Sequence, residues 1–150
     1  SEGDLNGVLK AEGLPLIEHL ENHQPIQSFL TMQGNDVFRF AVRVLKESIE
    51  QVLELAQLSI DDIDLIIPHQ ANLRIINHVA KKMKVDISKF YVNLQDYGNT
   101  SAASIPIAYA LARQEGLIDE HKRIILVGFG SGLTYGATLI DKAGGENDVK

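Results

Sequence analysis

The spacing of apolar residues predicts three helices separated by short buried strands. Over residues 34–56 the apolar side chains recur three and four positions apart, which is the period of an amphipathic helix. Asn35 or Asp36 is suited to cap the first free amides of this helix. The same spacing predicts helices over 73–82 and 101–114. In the last of these, Pro106 indicates an irregular first turn or a late start, because proline removes a helical hydrogen bond.

Short apolar runs predict the strands between these helices. They occupy residues 28–32, 65–67, 90–94, 123–127 and 133–140. The glycine-rich connection between the last two strands is too short for a crossover helix, so these strands must be antiparallel neighbours. The order β-α-β-α-β-α-β-β predicts an α/β fold whose mixed, mostly parallel five-stranded sheet is covered by helices.

The two ends of the chain read differently from its middle. Residues 1–26 are polar and contain several glycines and prolines, which predicts a lead-in or linker with a short strand at Leu9 or a short helix near 17–21. His19 and His23 are four residues apart, but without further ligands an exposed linker is favoured over a metal site. Residues 27–150 form the predicted domain, ending in a frayed tail.

Composition narrows the class of protein. The 150 residues carry a net charge of −6, which argues against general nucleic-acid binding. There is no Cys, hence no thiol nucleophile in the chain. No apolar run approaches the ~18 residues of a membrane span. We expect a cytoplasmic protein with neither nucleic acid nor membrane as a partner. Because the chain starts without Met or a signal pattern, we expect it to be either processed or cut from a longer chain.

The residues that most strongly suggest chemistry follow two predicted strands. The strand at 65–67 stops at Pro68, and His69 comes next; Asn99 follows the strand at 90–94 in the same way. Reactive groups collect at such strand ends in open α/β sheets. One histidine alone would more often be a cap or a core residue. An imidazole and a carboxamide together can converge on one oxygen, which suits an enolate or oxyanion formed from a thioester or carbonyl.

Two interpretations of the glycine-rich segment at 128–132 remain open after two others are set aside. A phosphate loop is disfavoured because no helix follows and the spacing is not Gly-x-Gly-x-x-Gly. A nucleophile elbow at Ser131 is excluded, because Phe129 and Leu133 occupy the positions that need glycine. The segment is either a tight turn whose amides approach a reacting oxygen, or an ordinary hairpin with special dihedral angles.

Basic residues cluster on two predicted helices. They are Arg39, Arg43 and Lys46 on the first helix, and Arg74, Lys81, Lys82 and Lys84 on the second. Two interpretations remain open: ordinary solvated helix surface, or an anion-docking patch near His69 for a phosphorylated cofactor or an acidic partner protein.

Four motifs, taken in order, resemble a known family. They are residues 32–38 (MQGNDVF), 68–74 (PHQANLR), 98–104 (GNTSAAS) and 129–136 (FGSGLTYG). Over about 28–142 the chain is similar to the C-terminal half of β-ketoacyl-acyl-carrier-protein synthase III. The resemblance implies one half of a thiolase-like fold, in which two similar α/β halves sandwich shared central helices.

The resemblance also implies an activity. The family performs a decarboxylative Claisen condensation of acyl-CoA with malonyl-acyl-carrier protein, the initiation of type II fatty-acid synthesis. A Cys in the N-terminal half accepts the acyl group, and residues matching His69 and Asn99 stabilise the malonyl enolate. The backbone N–H of Ser131, where the family usually has glycine, would join the oxyanion hole. No metal or cofactor is implied, since both thioesters are substrates.

The same resemblance assigns two further sets of residues. The substrate and CoA tunnel would be lined by Met32, Gly34, Asn35, Phe38, Ala71, Asn72, Arg74, Ile75 and Phe129. The acyl carrier protein would dock on Gln70, Ala71, Asn72, Leu73, Arg74, Arg39, Lys81 and Lys82.

The absence of a thiol in this chain implies that the complete enzyme needs a partner that supplies one. We expect this chain to be inactive in acyl transfer without the Cys-bearing N-terminal half of the same enzyme, and the complete enzyme to be a homodimer that works with acyl carrier protein. One alternative is a non-catalytic module that binds CoA or carrier protein. Another is a related thiolase-like synthase that makes alkyl-quinolones, polyketide starters or long-chain ketones.

Overall fold

The computed structural model describes residue 3 and residues 7–11, 30–120 and 123–142, which contain five strands and five α-helices. The strands are β1 (Leu9–Ala11), β2 (Leu30–Met32), β3 (Leu65–Pro68), β4 (Arg123–Gly130) and β5 (Thr134–Asp141). The helices are α1 (Gly34–Ala56), α2 (Leu73–Met83), α3 (Leu94–Tyr97), α4 (Ser104–Gln114) and α5 (Leu117–Glu120).

The central sheet has the order β3-β4-β5. β3 and β4 are parallel, with Leu65 opposite Ile124, and β4 and β5 are antiparallel, with Gly130 opposite Thr134. The antiparallel pairing predicted for the last two strands is therefore confirmed. β1 and β2 form a separate antiparallel pair, so the strand predicted at Leu9 is also present. The predicted helix near 17–21, the two histidines of that segment and the C-terminal tail lie outside the described residues.

The predicted single five-stranded sheet is wrong for the described part of the chain. Its main sheet has three strands, and the strand expected over 90–94 is reduced to one isolated parallel bridge between Phe90 and Ile66. Just beyond the bridge, the buried side chain of Gln70 takes up the backbone groups that another strand would pair. Its Nε2 donates to Tyr91 O at 3.1 Å, and its Oε1 accepts from Asn93 N at 3.1 Å. The chain then enters α3 at Leu94.

The helices start where backbone geometry allows. The predicted caps of α1 are wrong, because Gln33 is the N-cap residue and Asn35 and Asp36 lie inside the first turn. β2 ends one residue before Gln33, so the strand pair fixes the start of the helix. The late start predicted from Pro106 is confirmed, since a 3₁₀ turn at Ser101–Ala103 precedes α4.

The core lies on both faces of the β3–β4 pair. Alternate residues of β3 point to opposite faces, as in any strand. Ile66 joins a cluster with buried residues of α1 and α2, whereas Leu65 and Ile67 join a cluster with residues of α4 and α5. Burial on both faces explains the unbroken apolar runs of these strands. Within the described residues, no helix has the length and apolar character needed to cross a bilayer.

Gln70 holds the end of β3 in place. It is 1% exposed, and besides its bonds to the segment after Phe90 it donates to Pro68 O at 2.8 Å. One side chain thus satisfies three buried backbone groups, which would otherwise cost free energy on burial.

Replacing Gln70 by Ala is expected to lower the free energy of unfolding by about 3 kcal/mol, because it leaves these three buried backbone groups without hydrogen-bond partners. Urea denaturation followed by circular dichroism measures the change. The matched control is Gln95→Ala at an exposed position of α3, which should change stability by no more than about 0.5 kcal/mol. Equal effects of the two substitutions would contradict the role assigned to Gln70.

Candidate active site

A cavity of about 1230 Å³ opens at the ends of β3 and β4. The strand pair β1–β2, the first turns of α1, α2 and α4, and the connection between β4 and β5 supply its walls. Among its lining residues are all those to which the resemblance assigns catalysis, the oxyanion hole or the substrate tunnel. These are His69, Asn99, Ser131, Met32, Gly34, Asn35, Phe38, Ala71, Asn72, Arg74, Ile75 and Phe129.

His69 is anchored by the sheet. Its backbone N–H donates to Val127 O at 2.8 Å, which extends the β3–β4 pairing by one residue. The imidazole meets the edge of the Phe129 ring at a centroid distance of 5.3 Å. On the neighbouring strand, a Cβ at Gly128 would lie 3.1 Å from Ile105 Cδ1 and 3.7 Å from His69 Cβ. Glycine at this position therefore leaves room for His69 and Ile105.

The surroundings of His69 favour its neutral form. Burial lowers the pKa of its imidazole below the ordinary value of 6.5, because a charged ring loses hydration in the protein interior. At neutral pH the ring therefore carries one N–H and one lone pair. Its Nδ1 lies 2.5 Å from Ser104 Oγ. The sequence alone indicated only that Ser104 is a small residue. Its spacing of four residues from the buried Ala108 on α4 could have identified it as facing inward.

Asn99 is oriented by a local turn. Its Oδ1 accepts from Ser101 N at 2.9 Å, as in an Asx turn. Because the carboxamide oxygen is held by the backbone, the NH₂ group lies on the opposite side of the planar amide and remains a donor. Ser101 has φ of 54°, a left-handed conformation that is strained for a residue with a Cβ. His69 and Asn99 line the same cavity, as sequence reasoning required.

Ser131 begins the short connection between β4 and β5. The left-handed residues of this connection are Gly132, with φ of 76°, and Leu133, with φ of 43°. Ser131 itself is outside that region, so a serine is accommodated there without backbone strain. Its Oγ donates to Leu9 O at 3.2 Å and ties the connection to β1.

Arg74 and Phe38 lie together on the cavity wall. The Arg74 guanidinium is 5.7 Å from the centroid of the Phe38 ring, within reach of a cation–π interaction. The backbone N–H of Arg74 donates to Asn72 Oδ1 at 2.8 Å, so Asn72 caps α2. The exposed cation, the aromatic ring and the polar cap give this wall the mixed character expected for a polar, anionic ligand.

The other predicted docking residues do not all share this wall. Arg39 and Lys82 line a second cavity of about 1110 Å³, together with Arg43, Lys46 and two acidic residues. Leu73 and Lys81 are exposed on α2. The prediction that Gln70 contacts the carrier protein is wrong. Its side chain is buried and turned inward, so a docking partner cannot contact it.

Comparison with known proteins identifies the family. Residues 53–142 match the family described as 3-oxoacyl-[acyl-carrier-protein (ACP)] synthase III C terminal. The chain belongs to this family. Beta-ketoacyl-[acyl-carrier-protein] synthase III of Clostridium tetani is 54% identical over 123 residues, which make up 82% of this chain and 35% of the relative. The resemblance inferred from the four motifs is thereby confirmed.

Solved structures of a synthase III and of a priming ketosynthase have the same fold. The crystal structure of 3-oxoacyl-(acyl carrier protein) synthase III from Pseudomonas aeruginosa matches with a TM-score of 0.83 and 30% identity, covering 94% of this chain and 41% of that one. The priming β-ketosynthase of the R1128 polyketide pathway matches with a TM-score of 0.75 and 30% identity, covering 93% and 43%. The chain thus spans 35–43% of the length of these three relatives.

Acidification is expected to destabilise the fold through His69. The folded imidazole has a pKa lowered by burial, whereas the unfolded one titrates near 6.5. The unfolded state therefore binds more protons just below pH 6.5, and the free energy of unfolding falls as the pH falls through this window. Urea denaturation at about pH 7.5 and about pH 5.5 measures the loss, and His69→Gln should remove this contribution. Parallel pH dependences for the two proteins would contradict the lowered pKa.

Proposed function

We propose that this chain is the C-terminal catalytic half of a cytoplasmic condensing enzyme, which joins acyl-CoA to malonyl-acyl-carrier protein with loss of carbon dioxide. The observation that carries the proposal is the presence of two neutral donors, His69 and Asn99, on one cavity. The Asn99 oxygen is engaged by the backbone, and burial favours neutral His69. Family membership supports the same chemistry.

The decarboxylation step needs a place for negative charge. When the bond between C2 of the malonyl group and its carboxylate carbon breaks, carbon dioxide leaves and the electron pair forms a thioester enolate. His69 N–H and the Asn99 NH₂ would donate to the enolate oxygen. Fixed donors in a partly buried site are worth more than the same donors in water, and they need no reorganisation as the charge develops. Neutral donors also avoid holding the carboxylate in an ion pair before it departs.

The condensation step needs a thiol that this chain does not contain. The enolate carbon would attack an acyl thioester on a Cys of the N-terminal half, and the Cys thiolate would leave. Ser131, at the rim between β4 and β5, would supply a backbone N–H to the oxygen of that tetrahedral intermediate. The thiolate cannot form from these residues, so we expect no acyl transfer from this chain alone.

The remaining walls suit a pantetheine chain and its carrier. The nine proposed tunnel residues combine apolar and amide groups with one cation, Arg74, on the wall of the same cavity. Arg74, Leu73 and Lys81 would meet the acidic carrier protein at the start and end of α2, and Arg39 and Lys82 would extend that contact over the second cavity. The complete enzyme would be a homodimer acting in the initiation of fatty-acid synthesis.

Two other functions use the same fold. A module that binds CoA or carrier protein without chemistry would need Phe38 and Arg74 but not the paired donors of His69 and Asn99. A related synthase, such as one priming a polyketide, would use the same pair on another acyl chain. The likeness to the R1128 priming ketosynthase supports keeping this second candidate.

The proposal is tested by co-expressing the chain with a Cys-bearing N-terminal half and measuring carbon dioxide release from malonyl-acyl-carrier protein. His69→Ala and Asn99→Ala should each lower kcat by roughly 10²–10³, the usual cost of one lost oxyanion donor. Asn77→Ala, at an exposed position of α2, is the matched control and should leave the rate unchanged. Full activity in both site variants would overturn the proposal, and tight binding without carbon dioxide release would favour the binding module.

Carrier docking is tested separately with Lys82→Glu, which reverses a charge outside the catalytic cavity. We expect KM for malonyl-acyl-carrier protein to rise about fivefold while kcat holds, because a rim charge acts mainly on encounter. Arg113→Glu, exposed at the far end of α4, makes the same charge change as a control. An unchanged KM in Lys82→Glu, or an equal rise in the control, would contradict docking on this surface.

A further inference from the structure

We propose that Ser104 is a positioning residue whose hydroxyl donates to His69 Nδ1 and thereby keeps the ring hydrogen on Nε2, facing the cavity. The inference rests on the proposed function, because a tautomer matters only if His69 donates to a reacting oxygen. The inference goes beyond the proposed function because it assigns a role to a third residue besides His69 and Asn99.

The geometry restricts where the hydroxyl hydrogen can go. Ser104 is 1% exposed, and two groups of the described residues form hydrogen bonds with its Oγ: His69 Nδ1 at 2.5 Å and the backbone N of Gln70 at 3.3 Å. The Gln70 N–H can only donate, so it occupies an acceptor position of the oxygen. Nδ1 is then the one neighbour left to accept from the hydroxyl. The opposite arrangement, in which Nδ1–H donates to Oγ, would leave a buried hydroxyl hydrogen without an acceptor.

The tautomer follows from this direction of donation. Burial favours the neutral ring, and a neutral imidazole carries its hydrogen on one nitrogen only. If Nδ1 accepts from Ser104, Nε2 must carry the hydrogen. The nitrogen that Ser104 does not engage is thus the donor, as stabilisation of an enolate oxygen requires.

The contact between Ser104 Oγ and His69 Nδ1 differs from the contact that a serine nucleophile makes with its histidine. In a Ser-His-Asp triad the serine bonds to Nε2, and the group that orients the ring bonds to Nδ1. Ser104 occupies the orienting position, and its oxygen is buried with both neighbours already in place. It therefore acts on His69 rather than on substrate.

The first test measures the tautomer directly in the 150-residue chain. With ¹⁵N-labelled histidine, the two ring nitrogens of His69, assigned by their loss in His69→Gln, should show a protonated Nε2 and an unprotonated Nδ1. Observing the hydrogen on Nδ1 would overturn the proposal without any further variant.

A matched pair of variants separates the hydrogen bond from packing. Ser104→Thr keeps the hydroxyl, whereas Ser104→Val has nearly the same shape without it. We expect the Thr variant to keep the wild-type ¹⁵N pattern and the Val variant to show a mixture of tautomers. Identical spectra for Thr and Val would contradict the proposal, since a purely structural role would affect both alike.

Activity in the complex with the Cys-bearing half gives an independent measure. The Val variant should lower kcat for decarboxylation about tenfold with KM unchanged, and the Thr variant should restore it. The loss should be smaller than the ~10⁴ seen when a triad histidine is fixed in the wrong tautomer, because the correct form stays partly populated. If His69→Ala and Asn99→Ala both retain full activity, the proposed function fails. If His69→Ala is impaired but the Thr and Val variants have equal rates, only the role of Ser104 is contradicted.

Discussion

The parallel pairing of β3 with β4 is the constraint on which the site depends. It is buried on both faces, so the two strands can move relative to each other only by disrupting both halves of the core. The pairing runs on through the His69 N–H to Val127 O and places Gly128 beside His69. A shift of one residue in this register would exchange the side chains that pack on the two buried faces and move His69 away from Ser104. The stability of the sheet and the position of the imidazole are therefore set by the same contacts.

Much of this arrangement was predictable, because it depends on local pattern. The helical period over 34–56, the buried run before Pro68 and the glycine-rich connection after β4 each have a direct physical reading, and the structure agrees with them. The position of His69 at the end of a strand followed from a simple rule, and Asn99 lines the same cavity although the strand expected before it is reduced to a bridge. Proline at 106 correctly indicated a delayed helix, since its effect is confined to a single turn.

The errors come from long-range contacts that a pattern does not encode. The run at 90–94 has strand-like composition, but the Gln70 amide, far away in sequence, takes its backbone partners. Gln70 also belonged to a motif read as a docking surface, and only its burial reveals an internal role. The helical spacing of Ser104 and Ala108 indicates that Ser104 faces inward, but its contact with His69, 35 residues away, has no periodic signature.

The two donors of the site are held with unequal firmness. His69 is fixed to the central sheet by a backbone bond next to a fully buried neighbour, whereas Asn99 is exposed and held by one side-chain bond within a strained turn. Local opening events draw on the least stable parts of a fold first. Local opening on heating would therefore displace Asn99 before His69. Warming should weaken charge stabilisation by the Asn99 carboxamide at a lower temperature than stabilisation by the His69 imidazole.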